Sequence, residues 1–152
     1  MSIYTTLDEY IREQHESYTL TIEDKDYEYY TTVTALKDGV KVAAISSQLL
    51  FDKYMEFDGD LPEDEIDSWF PGDIIVRIEQ LNVYDSHRRD GIGTTLVNKL
   101  VDVMKKRGYN QFYLNAYPLG AISLTSLVGF YQKCGFRILL HQNHNVLMVK
   151  VI

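Results

Sequence analysis

Leu81-Asn82-Val83-Tyr84-Asp85-Ser86-His87-Arg88-Arg89-Asp90-Gly91-Ile92-Gly93-Thr94 is the stretch whose reading decides the fold. An apolar strand runs into a short loop, and two glycines one residue apart open a helix. The first N–H groups of a helix have no intrahelical partner, and the aligned peptide dipoles add positive character there. A loop bare of side chains lets an anion reach those groups. Arg88 and Arg89 add charge, and Thr94 and Thr95 add hydroxyl donors. The segment therefore reads as a phosphate or diphosphate site. A P-loop would need a lysine directly after the second glycine, and Thr94 stands there. A dinucleotide fingerprint would need a third glycine where the chain has Leu96. The pattern that fits is Gln/Arg-x-x-Gly-x-Gly/Ala, met by Arg88, Gly91 and Gly93.

Downstream of this turn, Ile92–Arg107 has Leu96, Leu100, Val103 and Met104 on one side and Lys99, Lys105 and Lys106 largely outside it, which predicts an amphipathic helix ended by Gly108. A strand at Gln111–Ala116, a helix at Ser123–Lys133 and two strands, Phe136–His141 and Val146–Ile152, follow. Upstream, Ile74–Tyr84 reads as a strand. A short helix at 4–16 and strands at Tyr18–Glu23, Tyr27–Leu36 and Val40–Leu49 open the chain, and Asp38-Gly39 suits a tight hairpin. A meander followed by strand, helix, strand, helix predicts a mixed α/β sheet with a parallel pair in its middle. The chain has 152 residues and no evident linker, so 1–152 is expected to be one domain: 1–73 and 74–152 share a core.

Composition narrows the function. The net charge of −7 argues against holding nucleic acid, which requires a basic face. Residues 51–73 carry nine of the 22 acidic residues and one basic residue, Lys53. The segment is either a solvated loop or a negative rim that attracts a cationic substrate, with a short helix starting after Pro62. No apolar run approaches the roughly 20 residues of a membrane span, and the N-terminus lacks a signal pattern. Cys134 is the only cysteine, so no internal disulfide or cysteine-based zinc site is expected, and a cytoplasmic location fits. The four histidines lack ligand spacing, so no metal is expected.

Three features in order carry a family resemblance: the strand Ile78-Glu79-Gln80-Leu81-Asn82-Val83, the Arg88–Gly93 turn with its helix, and Gly129-Phe130-Tyr131-Gln132-Lys133-Cys134-Gly135-Phe136. From about Ile74 to Ile152 the chain resembles the core of the GNAT superfamily of acetyl-CoA dependent N-acetyltransferases. The resemblance implies an α/β GNAT fold: a mostly antiparallel mixed sheet with a splayed parallel pair, flanked by helices. It implies transfer of an acetyl group from acetyl-CoA to a primary amine by direct attack in a ternary complex. Leu81 and Val83 would offer backbone groups to the pantetheine arm. Arg88, Arg89, Asp90, Gly91, Ile92, Gly93 and Thr94 would hold the diphosphate. Tyr131 would protonate the departing thiolate, and tyrosine and thiol pKa values are close enough for that transfer.

Glu79 is the candidate general base. Strand alternation would put it on one face with Leu81, although pairing with Arg77 or with a substrate cation explains it equally. Two positions depart from the family pattern. Asp90 stands where a small or basic residue is commoner, and Leu124 stands where an asparagine is frequent; Ser123 or Thr125 would substitute for the latter. His87 adjoins the phosphate turn, and His141 and His144 flank the final hairpin. Cys134 reads as packing. Two rival readings are a non-catalytic CoA-binding or interaction module and a toxin or counter-defence enzyme acetylating a macromolecule. The acceptor is not legible, and a homodimer made by exchange of the final strands is compatible with the pattern.

Overall fold

The computed structural model describes residues 18–84, 91–118, 120 and 122–152. The expected helix at 4–16, and His87, Arg88, Arg89 and Asp90, lie outside the described residues. Three strands, β1 (Tyr18–Lys25), β2 (Tyr30–Lys37) and β3 (Val40–Leu50), form the expected meander. The β2–β3 hairpin turns at Asp38-Gly39, both with positive φ (52° and 78°).

Residues 51–73 are not a solvated loop. They form α1 (Lys53–Glu56) and α2 (Glu63–Trp69), with Pro62 at the N-cap of α2. Phe57, Ile66 and Phe70 are fully buried here. Phe57 stacks on Phe70 at 5.2 Å and meets Tyr113 edge-on at 4.8 Å. Three apolar anchors among nine carboxylates suffice to dock the segment, because burying each such side chain contributes about 2 kcal/mol. Buried Lys53 then bonds the Phe70 carbonyl at 2.7 Å and Asp67 at 3.1 Å, so its charge is paired. The acidic side chains remain exposed, apart from half-buried Glu56.

The chain continues through β4 (Ile75–Val83), α3 (Ile92–Lys106), β5 (Gln111–Ala116), α4 (Leu124–Lys133), β6 (Arg137–His141) and β7 (Val146–Val151). The seven strands make one sheet in the order β1-β2-β3-β4-β5-β7-β6. All pairs are antiparallel except β4–β5. The closing strands pair within the chain, β7 lying between β5 and β6. No helix among the described residues is long and apolar enough to cross a membrane.

Each sheet face has its own core. On one, α3 packs across β2, β3 and β4, burying Ile92, Leu96, Leu100 and Met104 against Val33, Ile45 and Val76; α4 adds Tyr131. On the other, α1 and α2 cover Ile75, Tyr113, Leu147 and Val149. Arg107, closing α3, clamps Asp24 of β1 through bonds of 3.0 and 2.9 Å.

Candidate functional site

The site begins where the parallel ladder stops. β4 pairs with β5 only at Val76–Phe112, Arg77–Tyr113 and Ile78–Leu114, yet β4 runs on to Val83 and β5 to Ala116. The two strands part, and a cavity of about 820 Å³ fills the gap. Leu81, Val83, Leu114 and Ala116 line it from the α3/α4 face, while Glu79, Asn115 and Tyr117 line it from the α1/α2 face. This is the size of a ligand pocket, and it reaches both sides of the sheet.

The start of α3 forms one end of the slot. Gly91, the N-cap, sits in the left-handed region at φ 75°, which a side chain would strain. At Gly93, a Cβ would lie 3.3 Å from Phe130 Cζ, so the ring would have to give by a few tenths of an ångström, while Leu81 Cδ2 at 3.8 Å would be in ordinary contact. Gly91, Gly93 and Thr94 line the slot; the Ile92 side chain is buried in the core. The Thr95 hydroxyl, expected to serve an anion, instead donates to the Gly91 carbonyl at 3.1 Å. The Thr94 hydroxyl bonds Cys134, whose thiol is pushed up mainly by burial.

Tyr131 lines the slot from α4, buried to 6% exposure between Phe130 at 5.1 Å and Phe136 at 5.8 Å. Burial, with a smaller contribution from Cys134, pushes its hydroxyl up to about 12. It is therefore a weaker acid than an ordinary tyrosine, and the close match to a thiol expected from the sequence does not hold in this environment. At neutral pH it carries its proton.

Glu79 lies at a β-bulge. Opposite β3, Ser46 pairs with Gln80 but Ser47 pairs with Ile78, so Glu79 is the extra residue. A bulge shifts the alternation by one. Val76 and Ile78 face the α3 core below it, and Leu81 and Val83 face that same core above it. Glu79 instead joins Arg77 on the α1/α2 face at 3.1 Å. The expectation that Glu79 and Leu81 share a face is thus corrected, since two-residue alternation fails across an inserted residue. Arg77 also bonds Glu56 of α1 at 3.1 Å and Gln48 at 3.4 Å. Burial works against its charge, and the two carboxylates more than offset this, so its pKa is raised.

Ser123 is spent on capping α4, its oxygen accepting from Ser126 N at 3.1 Å. Ser126, rather than Ser123 or Thr125, lines the slot. His141 and His144 are exposed and do not line it. Sequence reasoning missed Asn115 and Tyr117, whose Asn-x-Tyr spacing at the end of β5 is the one signal that could have found them.

The family model described as Acetyltransferase (GNAT) family matches residues 1–136. The chain belongs to that family. It is a GNAT acetyltransferase with the GNAT fold. Among solved structures it is similar to a GNAT family acetyltransferase from Elizabethkingia anophelis with acetyl-CoA bound (13% identity, TM-score 0.61, covering 90% of this chain and 99% of that one). It is similar also to PaiA N-acetyltransferase from Thermoplasma acidophilum in complex with coenzyme A (17%, 0.58, 98% and 70%). A third is Arabidopsis thaliana Naa50 with the bisubstrate analogue CoA-Ac-MVNAL (22%, 0.56, 80% and 72%). No curated protein sequence gives a significant match.

Proposed function

We propose that this GNAT enzyme transfers the acetyl group of acetyl-CoA to a primary amine by direct attack within a ternary complex. The observation that carries the reading is the end of the β4–β5 ladder at Ile78–Leu114, which opens a slot ending at the Gly91–Gly93 helix start. That cradle suits acetyl-CoA: glycines leave the helix N–H groups approachable, and the slot beyond is lined in part by apolar Leu81, Val83, Leu114 and Phe130. Acetyl-CoA supplies the activated thioester. The helix start, with Arg88, Arg89 and the Asp90 N–H, holds its diphosphate. Leu81 and Val83 flank the pantetheine arm, and backbone N–H near Leu81 or Asn82 polarises the thioester carbonyl. Tyr131 protonates the leaving sulfur, and Glu79 accepts the amine proton through a water.

The amine reaches the slot from the face that carries Glu79 and the acidic α1–α2 segment, which favours a cationic acceptor. The acceptor is the primary amine of a small molecule or of a protein. A buried free thiol at Cys134 fits a cytoplasmic setting. One observation favours the rival of a module that holds CoA without turnover: Arg77 already engages Glu79 Oε1.

Titration calorimetry with acetyl-CoA, paired with thiol release over a panel of amine classes, tests the reading. Micromolar binding with thiol release supports it. Binding without release for any class favours the holding module, and no binding at high micromolar cofactor overturns both.

A further inference from the structure

The inference rests on the slot being the acetyl transfer site, and it concerns the acceptor. On the α1/α2 face, hydrogen bonds link three segments distant in sequence. Gln142 Nε2 donates to Asp60 Oδ1 at 3.0 Å. Asn145 Nδ2 donates to Gln142 Oε1 and to Asn115 Oδ1, each at 2.6 Å. Asn115 Nδ2 donates to the Tyr117 hydroxyl oxygen at 2.9 Å. Asn145, at the centre, is buried, and the Gln142 N–H bonds its carbonyl at 2.9 Å.

The chain has a direction, and Asp60 sets it. A carboxylate oxygen accepts and does not donate, so Gln142 must turn its amide nitrogen toward Asp60 and its oxygen toward Asn145. Asn145 must answer with its own nitrogen, which also serves the Asn115 oxygen. Asn115 is left with its nitrogen toward Tyr117. The phenol oxygen therefore accepts, and its one proton is not used by any of these four bonds. Tyr117 lines the slot, on the same face as Glu79.

We propose that Tyr117 determines acceptor specificity: its hydroxyl donates to an ether, hydroxyl or carbonyl oxygen close to the reacting amine. Glu79 receives the nitrogen end, and the Asp60–Gln142–Asn145–Asn115 chain holds Tyr117 as a donor. Amines bearing such an oxygen are then selected over plain alkyl amines. Burial decides the size of the preference. Tyr117 is 51% exposed and can fall back on water, so an acceptor lacking the oxygen is not rejected by the factor of ~10⁴ that a fully buried donor enforces. A preference of about fivefold is expected, the worth of one neutral hydrogen bond in partial contact with solvent.

The test uses conjugates of CoA whose sulfur carries CH2–CO–NH–R, so that binding is read without turnover. R is 2-methoxyethyl or 3-methoxypropyl, each matched to its hydrocarbon isostere, n-butyl or n-pentyl. Calorimetry gives the ether-to-alkyl affinity ratio for the wild type, Tyr117→Phe and the exposed-site variant Asp60→Ala. The proposal expects at least one ether ratio to fall about fivefold in Tyr117→Phe, and to fall in the same direction in Asp60→Ala. Equal ratios in wild type and Tyr117→Phe overturn it. An Asp60→Ala ratio equal to wild type overturns the claim that Asp60 orients the chain. If no conjugate binds at all, the cosubstrate reading itself fails, whereas tight binding with no ether effect sinks only the acceptor inference.

Discussion

Replacing Tyr131 by phenylalanine removes one oxygen and leaves the ring between Phe130 and Phe136. The oxygen lies in a site that pushes its pKa up to about 12, from 10. Two units correspond to about 2.7 kcal/mol in favour of the neutral phenol. The group can therefore donate a proton at neutral pH and cannot act as a base. Donation to a thiolate whose thiol has a pKa near 8.5 is uphill by roughly 3.5 units, about 5 kcal/mol. That places its contribution at the low end of general-acid catalysis, ~10²-fold. Tyr131→Phe should lower kcat about 100-fold, measured as thiol release at saturating amine, with acetyl-CoA affinity by calorimetry within about twofold. The shift also links to stability. A raised folded pKa contributes fully below pH 10, and that contribution is lost as pH rises from about 10 to about 12. The wild type should lose melting temperature relative to Tyr131→Phe across that window. A kcat within threefold of wild type, or a wild-type rate limb near pH 10 that vanishes in the variant, would refute the reasoning; either means an ordinary or idle phenol.

Gly93→Ala sets a helix-propensity gain of up to about 1 kcal/mol against a Cβ 3.3 Å from Phe130. Thermal melting should change little while acetyl-CoA affinity drops roughly tenfold, as the ring yields toward the slot; unchanged affinity would show that Phe130 gives way elsewhere. Lys53→Met leaves the Phe70 carbonyl without its donor and should cost about 2 kcal/mol in urea unfolding, since a buried acceptor loses its partner. Arg107→Ala removes the two-bond clamp on Asp24, partly screened by solvent, and should cost about 1 kcal/mol. Asp24 is held below its ordinary pKa chiefly by that hydrogen bond, so its stabilisation is present above pH 3.8 and lost as pH falls through the lowered value. The variant should lack this loss in acid melts.

Much of the architecture could be read from neighbouring residues. The Asp38-Gly39 hairpin, the amphipathic period of α3 and the glycine-opened turn before it are set by local geometry, and the structure has the hairpin and helix where they were expected. In the α1–α2 segment the helix after Pro62 was legible, but its docking was not, because three dispersed apolar anchors among nine carboxylates do not mark a buried face. The bulge at Glu79 was equally hidden. An extra residue in β4 is defined only against its partner β3, and nothing in Arg77-Ile78-Glu79-Gln80-Leu81 alone marks it.

What the sequence by itself determined is the chemistry of short range: a helix start stripped of side chains, a tyrosine on the next helix and an apolar strand leading to both. Backbone sterics and helix dipoles act over a few residues, so these follow from order alone. Only the tertiary structure decided that Glu79 turns to Arg77, that Tyr131 holds its proton more tightly than a free phenol, and that Asp60 reaches Tyr117 through Gln142, Asn145 and Asn115. Desolvation and hydrogen-bond direction depend on which groups meet in space. Asp60 and Gln142, bonded at 3.0 Å, come from segments that order along the chain does not bring together.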